Sequence, residues 1–254
     1  MKVRILGCSG GVGRGLRTTS LLVDDDILID AGSGVGDLTL EEMAAVRHIF
    51  LTHSHLDHIA FIPLMLDSIF ERRSEPLIVH GLAATIDALQ RHIFNWVIWP
   101  DFSRLPSAER PVLRYQEMRP GEVMHMGVRS FEMIAVGHAV PAAGYRVACP
   151  TGVLAFSGDT CTNDSFWHAL NAHDRLDVLI VETAFSNADL AISLLAKHYC
   201  PSLLAADLEK LRHRPEIYIT HAKPAEEEVI VAECSAALSE HKFQRLIGGA
   251  TLTI

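Results

Sequence analysis

The stretch His53-Ser54-His55-Leu56-Asp57-His58 constrains this chain more than any other part of it, because it sets four metal-coordinating side chains within six residues. The preceding Arg47-His48-Ile49-Phe50-Leu51-Thr52 has the apolar character and length of a buried strand, and a helical pattern runs over residues 59–70. The ligands therefore fall on a strand-to-helix turn, where a rigid scaffold presents side chains to solvent. An extended backbone through His53 and His55 sends both imidazoles out from one face. One ion could take that pair, leaving Asp57 and His58 to turn toward a second. Imidazole with carboxylate suits zinc, iron or manganese better than calcium or magnesium. A histidine-rich polar turn without an ion is the competing reading, and burying that much polarity without a ligand would be costly.

The surrounding pattern reads as strands with helices between them. Strands are expected at residues 3–6, 20–23, 27–30, 48–51 and 77–79, with Asp24-Asp25-Asp26 as a solvated hairpin turn. Gly32-Ser33-Gly34-Val35-Gly36 reads as a loop, residues 40–46 as a short helix and 83–93 as another. Residues 94–119 read as irregular, broken by Pro100, Pro106 and Pro111. That segment gathers Phe94, Trp96, Trp99 and Phe102, which suit a substrate pocket, a subunit contact or the core. Further strands are expected at 128–136, 143–148, 153–156, 178–181 and 216–220, and helices at 188–197, 203–211 and 225–239. Residues 252–254 would close a sheet. Two strand-rich halves with helices between them predict sheets packed together, helices outside, in a single domain spanning 1–254.

Composition narrows the function. With 254 residues, 49% hydrophobic and 21% charged, the chain can bury a substantial core. A net charge of −9 offers no overall basic field for nucleic acid, and no apolar run is long enough to span a membrane. Five scattered cysteines, with no Cys-x-x-Cys pair, and a strand-like N-terminus lacking a long apolar segment fit reduced thiols in a cytoplasmic protein. The Gly7-Cys8-Ser9-Gly10-Gly11-Val12-Gly13-Arg14-Gly15 run is not a nucleotide loop: it lacks a Gly-Lys-Ser/Thr ending and leads into a strand, not a helix. It reads as a flexible loop near the ligands, with Arg14 and Arg17 in solvent and a phosphate contact as their alternative.

A two-ion site needs ligands beyond the first motif. His138 follows the apolar Phe131-Glu132-Met133-Ile134-Ala135-Val136-Gly137, Asp159 sits in Phe156-Ser157-Gly158-Asp159-Thr160, and His221 ends Ile217-Tyr218-Ile219-Thr220-His221. Each alone reads as a structural polar residue. All three stand at the end of an apolar strand, as His53 does, and that shared placement favours ligands. His80, also at a strand end, is the one remaining histidine whose position warrants a check against the ligands.

Taken in order, Thr52-His53-Ser54-His55-Leu56-Asp57-His58, Gly137-His138, Ser157-Gly158-Asp159-Thr160 and Thr220-His221 resemble the motifs of the metallo-β-lactamase-fold hydrolases. The resemblance spans nearly the whole chain and includes Leu28-Ile29-Asp30-Ala31-Gly32. It implies an α/β, four-layer αββα sandwich with the site at one edge of two sheets. By the same resemblance His53, His55 and His138 would hold one divalent ion, Asp57, His58 and His221 the other, and Asp159 would bridge them. Within that family the likeness is to the phosphodiesterase and RNase Z branch. His138-Ala139-Val140-Pro141-Ala142-Ala143-Gly144-Tyr145 and Glu182-Thr183-Ala184-Phe185 are similar to its later motifs, and His198 stands where the branch has an extra catalytic histidine. His55-Leu56-Asp57-His58-Ile59 resembles the class II cyclic-nucleotide phosphodiesterase signature, departing from it at Ala60-Phe61.

The resemblance implies a dinuclear phosphodiesterase of 3′,5′-cyclic nucleotides, holding two zinc ions, with iron or manganese as alternatives. Two ions about 3.5–4 Å apart can bridge a hydroxide at neutral pH. Asp57 would orient that nucleophile or take its proton, His198 would stabilise phosphoryl oxygens or protonate the leaving alkoxide, and Glu182 would orient His198. The expected partner is a small phosphodiester substrate, not nucleic acid or membrane, and a homodimer is consistent with this branch. Alternatives are an RNase Z-like tRNA 3′-processing endonuclease, for which no basic, glycine-rich arm is visible, and a thioester or lactone hydrolase. A di-iron oxygen or redox sensor is the non-enzymatic alternative.

Overall fold

A computed structural model describes all residues, 1–254. In the first half, β1 (Lys2–Gly7), β2 (Ser20–Val23) and β3 (Ile27–Ile29) precede α1 (Leu40–Ala45), β4 (His48–Phe50), α2 (Leu56–Ile59) and α3 (Phe61–Ser68). β5 (Leu77–Gly81), α4 (Ala83–Ala88) and β6 (Leu113–Glu117) complete it. The second half opens with β7 (Val123–Met126), β8 (Arg129–Val136), β9 (Ala142–Ala148) and β10 (Val153–Phe156). It continues through α5 (Ser165–Asn171), β11 (Val178–Glu182), α6 (Leu190–Ala196), α7 (Pro201–Leu208) and β12 (Glu216–Thr220) to α8 (Glu227–Ala237), β13 (Phe243–Arg245) and β14 (Thr251–Thr253).

These strands form two seven-stranded sheets, ordered β14-β1-β2-β3-β4-β5-β6 and β13-β12-β11-β10-β9-β8-β7. Each sheet is antiparallel in one part and parallel in the other: β3 to β6 run parallel in the first sheet, and β10 to β13 in the second. Parallel strands are buried on both faces, so they read as short continuous apolar runs such as Val178-Leu179-Ile180-Val181. Ligands of open parallel sheets gather outside the carboxyl ends of the strands. Both parallel regions here end on the same side.

Three apolar clusters define four layers. Val3, Ile5, Leu21, Phe50, Phe131, Tyr145, Phe156 and Ile180 fill the space between the sheets. The outer face of the first sheet packs on Met43, Ile62, Met65 and Leu66 from α1 and α3. The outer face of the second packs on Trp167, Leu204, Leu208 and Ile230 from α5, α7 and α8. The expected α/β sandwich of layers α, β, β and α is therefore observed. Phe50 pins the two sheets at the base of the site, its ring stacked 4.4 Å from Phe131 and edge-on to Tyr145 at 5.6 Å.

Several local expectations need correction. Gly32 to Gly36 is not an open loop, since Ser33–Asp37 forms a 3-10 turn. Residues 94–119 contain β6, and β7, α5 and β13 also escaped the sequence reading. The aromatic group at 94–102 divides: Phe94 and Phe102 are buried in the core, whereas Trp96, Val97 and Ile98 are 58%, 85% and 62% exposed. Asp24 and Asp26 are not simply solvated, because Arg129 on β8 bonds both across the sheets at 3.0 and 2.6 Å.

Candidate active site

The histidine-rich turn is held from both sheets before it reaches its first ligand. In the first sheet Leu51 donates its N–H to the His80 carbonyl at 2.8 Å. From the second sheet, the Tyr145 hydroxyl donates to the Leu51 carbonyl at 2.7 Å and the Ala143 N–H to the Thr52 carbonyl at 2.9 Å. His55 then takes an extended conformation (φ −67°, ψ 148°) as the residue before α2, which places Asp57 and His58 in the first turn of that helix. Asp159 arrives from the end of β10 through Gly158, at φ +59°, where a Cβ would collide with the Thr52 side chain. Glycine alone lets these two segments pass so closely.

The seven expected ligands meet in one place. Two groups, His53-His55-His138-Asp159 and Asp57-His58-Asp159-His221, each hold their coordinating atoms within 4.8 Å of one another. Asp159 belongs to both. Its Oδ2 lies 3.6 Å from His53 Nε2, 4.0 Å from His138 Nε2, 3.4 Å from His58 Nε2 and 3.2 Å from His221 Nε2. Asp57 Oδ2 closes the second group, 3.6 Å from His58 Nε2 and 3.7 Å from His221 Nε2. In the first group His138 Nε2 and His55 Nδ1 stand 3.2 Å apart.

The far side of each ring explains this aim. His53 Nδ1 meets the Thr52 hydroxyl at 2.9 Å, His138 Nδ1 the Lys197 carbonyl at 2.9 Å, and His221 Nδ1 the Thr19 hydroxyl at 3.3 Å. His58 Nδ1 meets the Asp30 carboxylate at 2.7 Å. With Nδ1 engaged, Nε2 turns inward, the arrangement that fixes the tautomer of a ligating histidine. Nε2 of His53, His58 and His221 is fully buried with no hydrogen-bond partner. Three orphaned imidazole nitrogens around one carboxylate would be expensive in a purely structural cluster. The donor set fits two divalent ions.

The electrostatics agree. Burial pushes His53 well down, His138 to about 4 and His221 to about 3, so these rings are neutral and can donate a lone pair. Burial opposes ionisation of Asp159, yet the cluster of imidazoles facing it, among which His58 keeps its proton, outweighs burial and holds the carboxyl well below the usual range. His58 differs: burial lowers it, but Asp159 and Asp30 outweigh burial and raise it, so an ion and a proton compete for Nε2.

His198 and Glu182 stand beside this cluster. Glu182 ends β11, is fully buried, and accepts from the Thr160 N–H at 3.0 Å and from His198 Nδ1 at 2.7 Å. The His198 ring packs 4.9 Å from His138 and 5.5 Å from His221. Burial lowers the pKa of His198, but the Glu182 carboxylate outweighs it and raises the ring above the ordinary histidine value. The pair can therefore hold a proton on an imidazole whose Nε2 is left for other work.

The other polar residues nearby have partners outside the cluster. His80 takes no part, being hydrogen-bonded to His48 at 2.9 Å and stacked on Phe50 at 4.4 Å. The glycine-rich loop does lie beside the ligands, but it is pinned: Gly10 N–H donates to the Ala222 carbonyl at 2.9 Å, and a Cβ at Gly10 would collide with the His221 carbonyl. Arg17 pairs with Asp37 at 3.2 Å. Cys8 packs, as its thiol donates to the Leu246 carbonyl at 3.4 Å and burial pushes its pKa up to about 11. Asp30, Thr19 and the Lys197 carbonyl were not singled out from sequence as supports. Only Asp30 gave a signal, a lone carboxylate at the end of an apolar strand.

Residues 38–148 match the family of class-II cAMP phosphodiesterases. A probable 3′,5′-cyclic-nucleotide phosphodiesterase of Yersinia pestis is 26% identical over 275 residues, covering 88% of this chain and 78% of that protein. Ribonuclease Z of Bradyrhizobium sp. is 30% identical over 220 residues, covering 65% of this chain and 69% of that protein. The crystal structure of unliganded yeast PDE1 superposes with a TM-score of 0.83 at 20% identity, covering 100% of this chain and 99% of that one. Sandwich, strand-end histidines and shared aspartate define a metallo-β-lactamase-fold protein. Within that class the chain belongs to the hydrolase family that contains the class-II phosphodiesterases and ribonuclease Z, and it is an enzyme of that family.

Proposed function

We propose that this chain is a dinuclear metal-dependent phosphodiesterase acting on 3′,5′-cyclic nucleotides. His53, His55 and His138 would hold one divalent ion and Asp57, His58 and His221 the other, with Asp159 shared. Three imidazoles in the first position favour zinc. Two such ions, when bound, activate water for attack and neutralise charge that builds on the phosphoryl oxygens. Asp57, partly open to solvent and aimed into the second group, orients the attacking water or accepts its proton. His198 delivers a proton from Nε2 to the departing 3′-alkoxide, a step worth about a hundredfold or more. Glu182 keeps that imidazole charged and correctly turned. Ligands come from both sheets, so we take 1–254 as one catalytic domain. Five unpaired thiols suit a reducing cytoplasm.

The observation that carries this reading is the buried His198–Glu182 pair, packed against candidate ligands of both groups. A proton donor so placed serves a poor alkoxide leaving group, and a relative named as a cyclic-nucleotide phosphodiesterase supports the substrate. The 30% identity to a ribonuclease Z supports a second reading, a tRNA precursor substrate. The test is metal analysis of the purified chain with a panel of bis-p-nitrophenyl phosphate, cyclic nucleotides, tRNA precursor, a thioester and a lactone. Cyclic-nucleotide turnover by protein holding two ions is expected. Turnover of only the thioester or lactone would sink the phosphodiesterase reading, and turnover of only the tRNA precursor would establish the second.

A further inference from the structure

Helix α7 buries a carboxylate that belongs to neither ligand group. Asp207 is 2% exposed, on a helix whose Leu204 and Leu208 pack against the outer face of the second sheet. A buried charge is costly unless its oxygens are engaged, and an apolar residue of similar size would pack there at less cost. Here both oxygens are engaged. Oδ2 accepts from the Tyr199 hydroxyl at 2.6 Å, Trp167 Nε1 at 3.1 Å and the Asn163 N–H at 3.1 Å, while Oδ1 meets Lys210 Nζ at 2.8 Å. Two of these donors lie on segments that converge on Glu182. Tyr199 follows His198, and its N–H donates to Glu182 Oε2 at 3.3 Å. Asn163 Nδ2 donates to the Thr160 hydroxyl at 3.0 Å, and Thr160, which follows Asp159, donates its N–H to Glu182 Oε1 at 3.0 Å. Each oxygen of Glu182 is thus fixed by a backbone donor whose segment is tied to Asp207, and Oε1 also takes His198 Nδ1 at 2.7 Å. Residues 160–163 and 198–200 have no helix or strand, so side-chain bonds do much of the holding.

We infer that Asp207 is a positioning residue: it clamps the segments that carry Asp159 and His198 to one point, and so sets the angle at which the Glu182–His198 pair faces the ligands. The catalytic consequence rests on His198 being the proton donor of the proposed phosphodiesterase; that Asp207 holds the pair does not. A proton donor matters most where the leaving group is poor. A tilted imidazole therefore slows hydrolysis of a cyclic nucleotide, which expels an alkoxide. It spares bis-p-nitrophenyl phosphate, which expels a stable phenolate. General loosening of the fold would slow both alike.

The test compares zinc-loaded wild-type chain with Asp207→Ala, Asp207→Asn and Tyr199→Phe. Asp207→Ala should lower kcat for a cyclic nucleotide about tenfold or more, with KM and bis-p-nitrophenyl phosphate turnover nearly unchanged. Tyr199→Phe removes only the 2.6 Å bond and should show the same split at smaller size, even if Asp207→Ala fails to fold. Asp207→Asn, which keeps an acceptor for Tyr199, should recover most of the rate. Leu211→Ala, in the same apolar cluster, should lower Tm and leave the ratio of the two substrates as it was. Added to His198→Ala, Tyr199→Phe should cost nothing further. Equal loss on both substrates, or a full further loss without His198, would overturn the inference. Proton NMR gives a reading independent of turnover: the low-field resonance of His198 Nδ1–H, missing from His198→Ala, should move or broaden in Asp207→Ala and Tyr199→Phe. An unmoved resonance in both would overturn the inference. Wild-type chain that hydrolyses neither phosphodiester would sink the proposed function and leave that resonance to decide the role of Asp207.

Discussion

The two candidate ligand groups share Asp159 but are supported in different ways. In the first, His53 leans on a hydroxyl and His138 on a carbonyl, both neutral, and His55 is half-buried. In the second, His58 is backed by the fully buried Asp30 carboxylate, which also accepts from the Thr52 N–H and hydroxyl at 2.8 Å each. A carboxylate behind an imidazole raises its basicity and locks its orientation, whereas a neutral acceptor does mainly the second. Two similar donor sets need not be equal in strength. The second position should grip an ion more tightly, and the first should exchange more readily with solvent.

Asp159→Ala strikes both positions and should have the largest effect. Metal content should fall below one ion per chain with activity at background; retention of two ions would end the view of Asp159 as shared. Next, His198→Ala should lower kcat about a hundredfold or more with both positions still filled. Full kcat would remove its catalytic role, and loss of metal would mean that it is a ligand. Asp30→Asn tests the comparison most directly. It keeps an acceptor for His58 Nδ1 but removes the charge, so affinity should drop about 10–100-fold at one position only. A chelator titration that shows equal weakening of both positions would break the proposed asymmetry.

The smallest effect lies away from both groups. The Arg129 hydrogen bond is the main cause that holds the Asp26 carboxyl below its usual value, against a smaller opposing effect of burial. A depressed folded pKa contributes stability that is present above the unfolded value, near 3.9, and lost as pH falls through the folded one. Arg129→Gln should therefore cost about 1 kcal/mol or less at neutral pH, with the difference from the parent shrinking in acid. Urea unfolding at several pH values reads this directly. Metal content should not change; a loss would mean that the groups differ through general loosening of the sheets, not through their immediate supports.

The legible parts of this molecule share a physical signature. Central strands such as β4, β11 and β12 are nearly continuous apolar runs, and a polar residue at their ends stands out. That contrast exposed His53 and His221, whereas Glu182 at the end of β11 was reached through the family resemblance. Edge strands carry no such signal: β6 buries only Leu113, β7 alternates exposed and half-buried residues, and β13 is three residues long. Helix α5, seven residues at Ser165–Asn171, was missed as well. The supports of the ligands were harder still. Thr19 and the Lys197 carbonyl reach the site only after the sheets have paired, so nothing local in the sequence distinguishes them from ordinary loop groups.

Three residues around the site, Asp30, Lys197 and His221, hold left-handed backbone conformations at φ 57°, 56° and 65°. A side chain in that region costs about 1–2 kcal/mol. Asp30 and His221 must tolerate this because their side chains are used. Lys197 is different: it is exposed and contributes only its carbonyl, to His138. Lys197→Gly should keep the metal site intact and raise thermal stability slightly, since glycine accepts this backbone hand without strain. Handedness of the main chain is thus an inherited requirement of the site, separate from its list of ligands. A transplanted set of histidines and aspartates would aim wrongly in a backbone that lacked these turns.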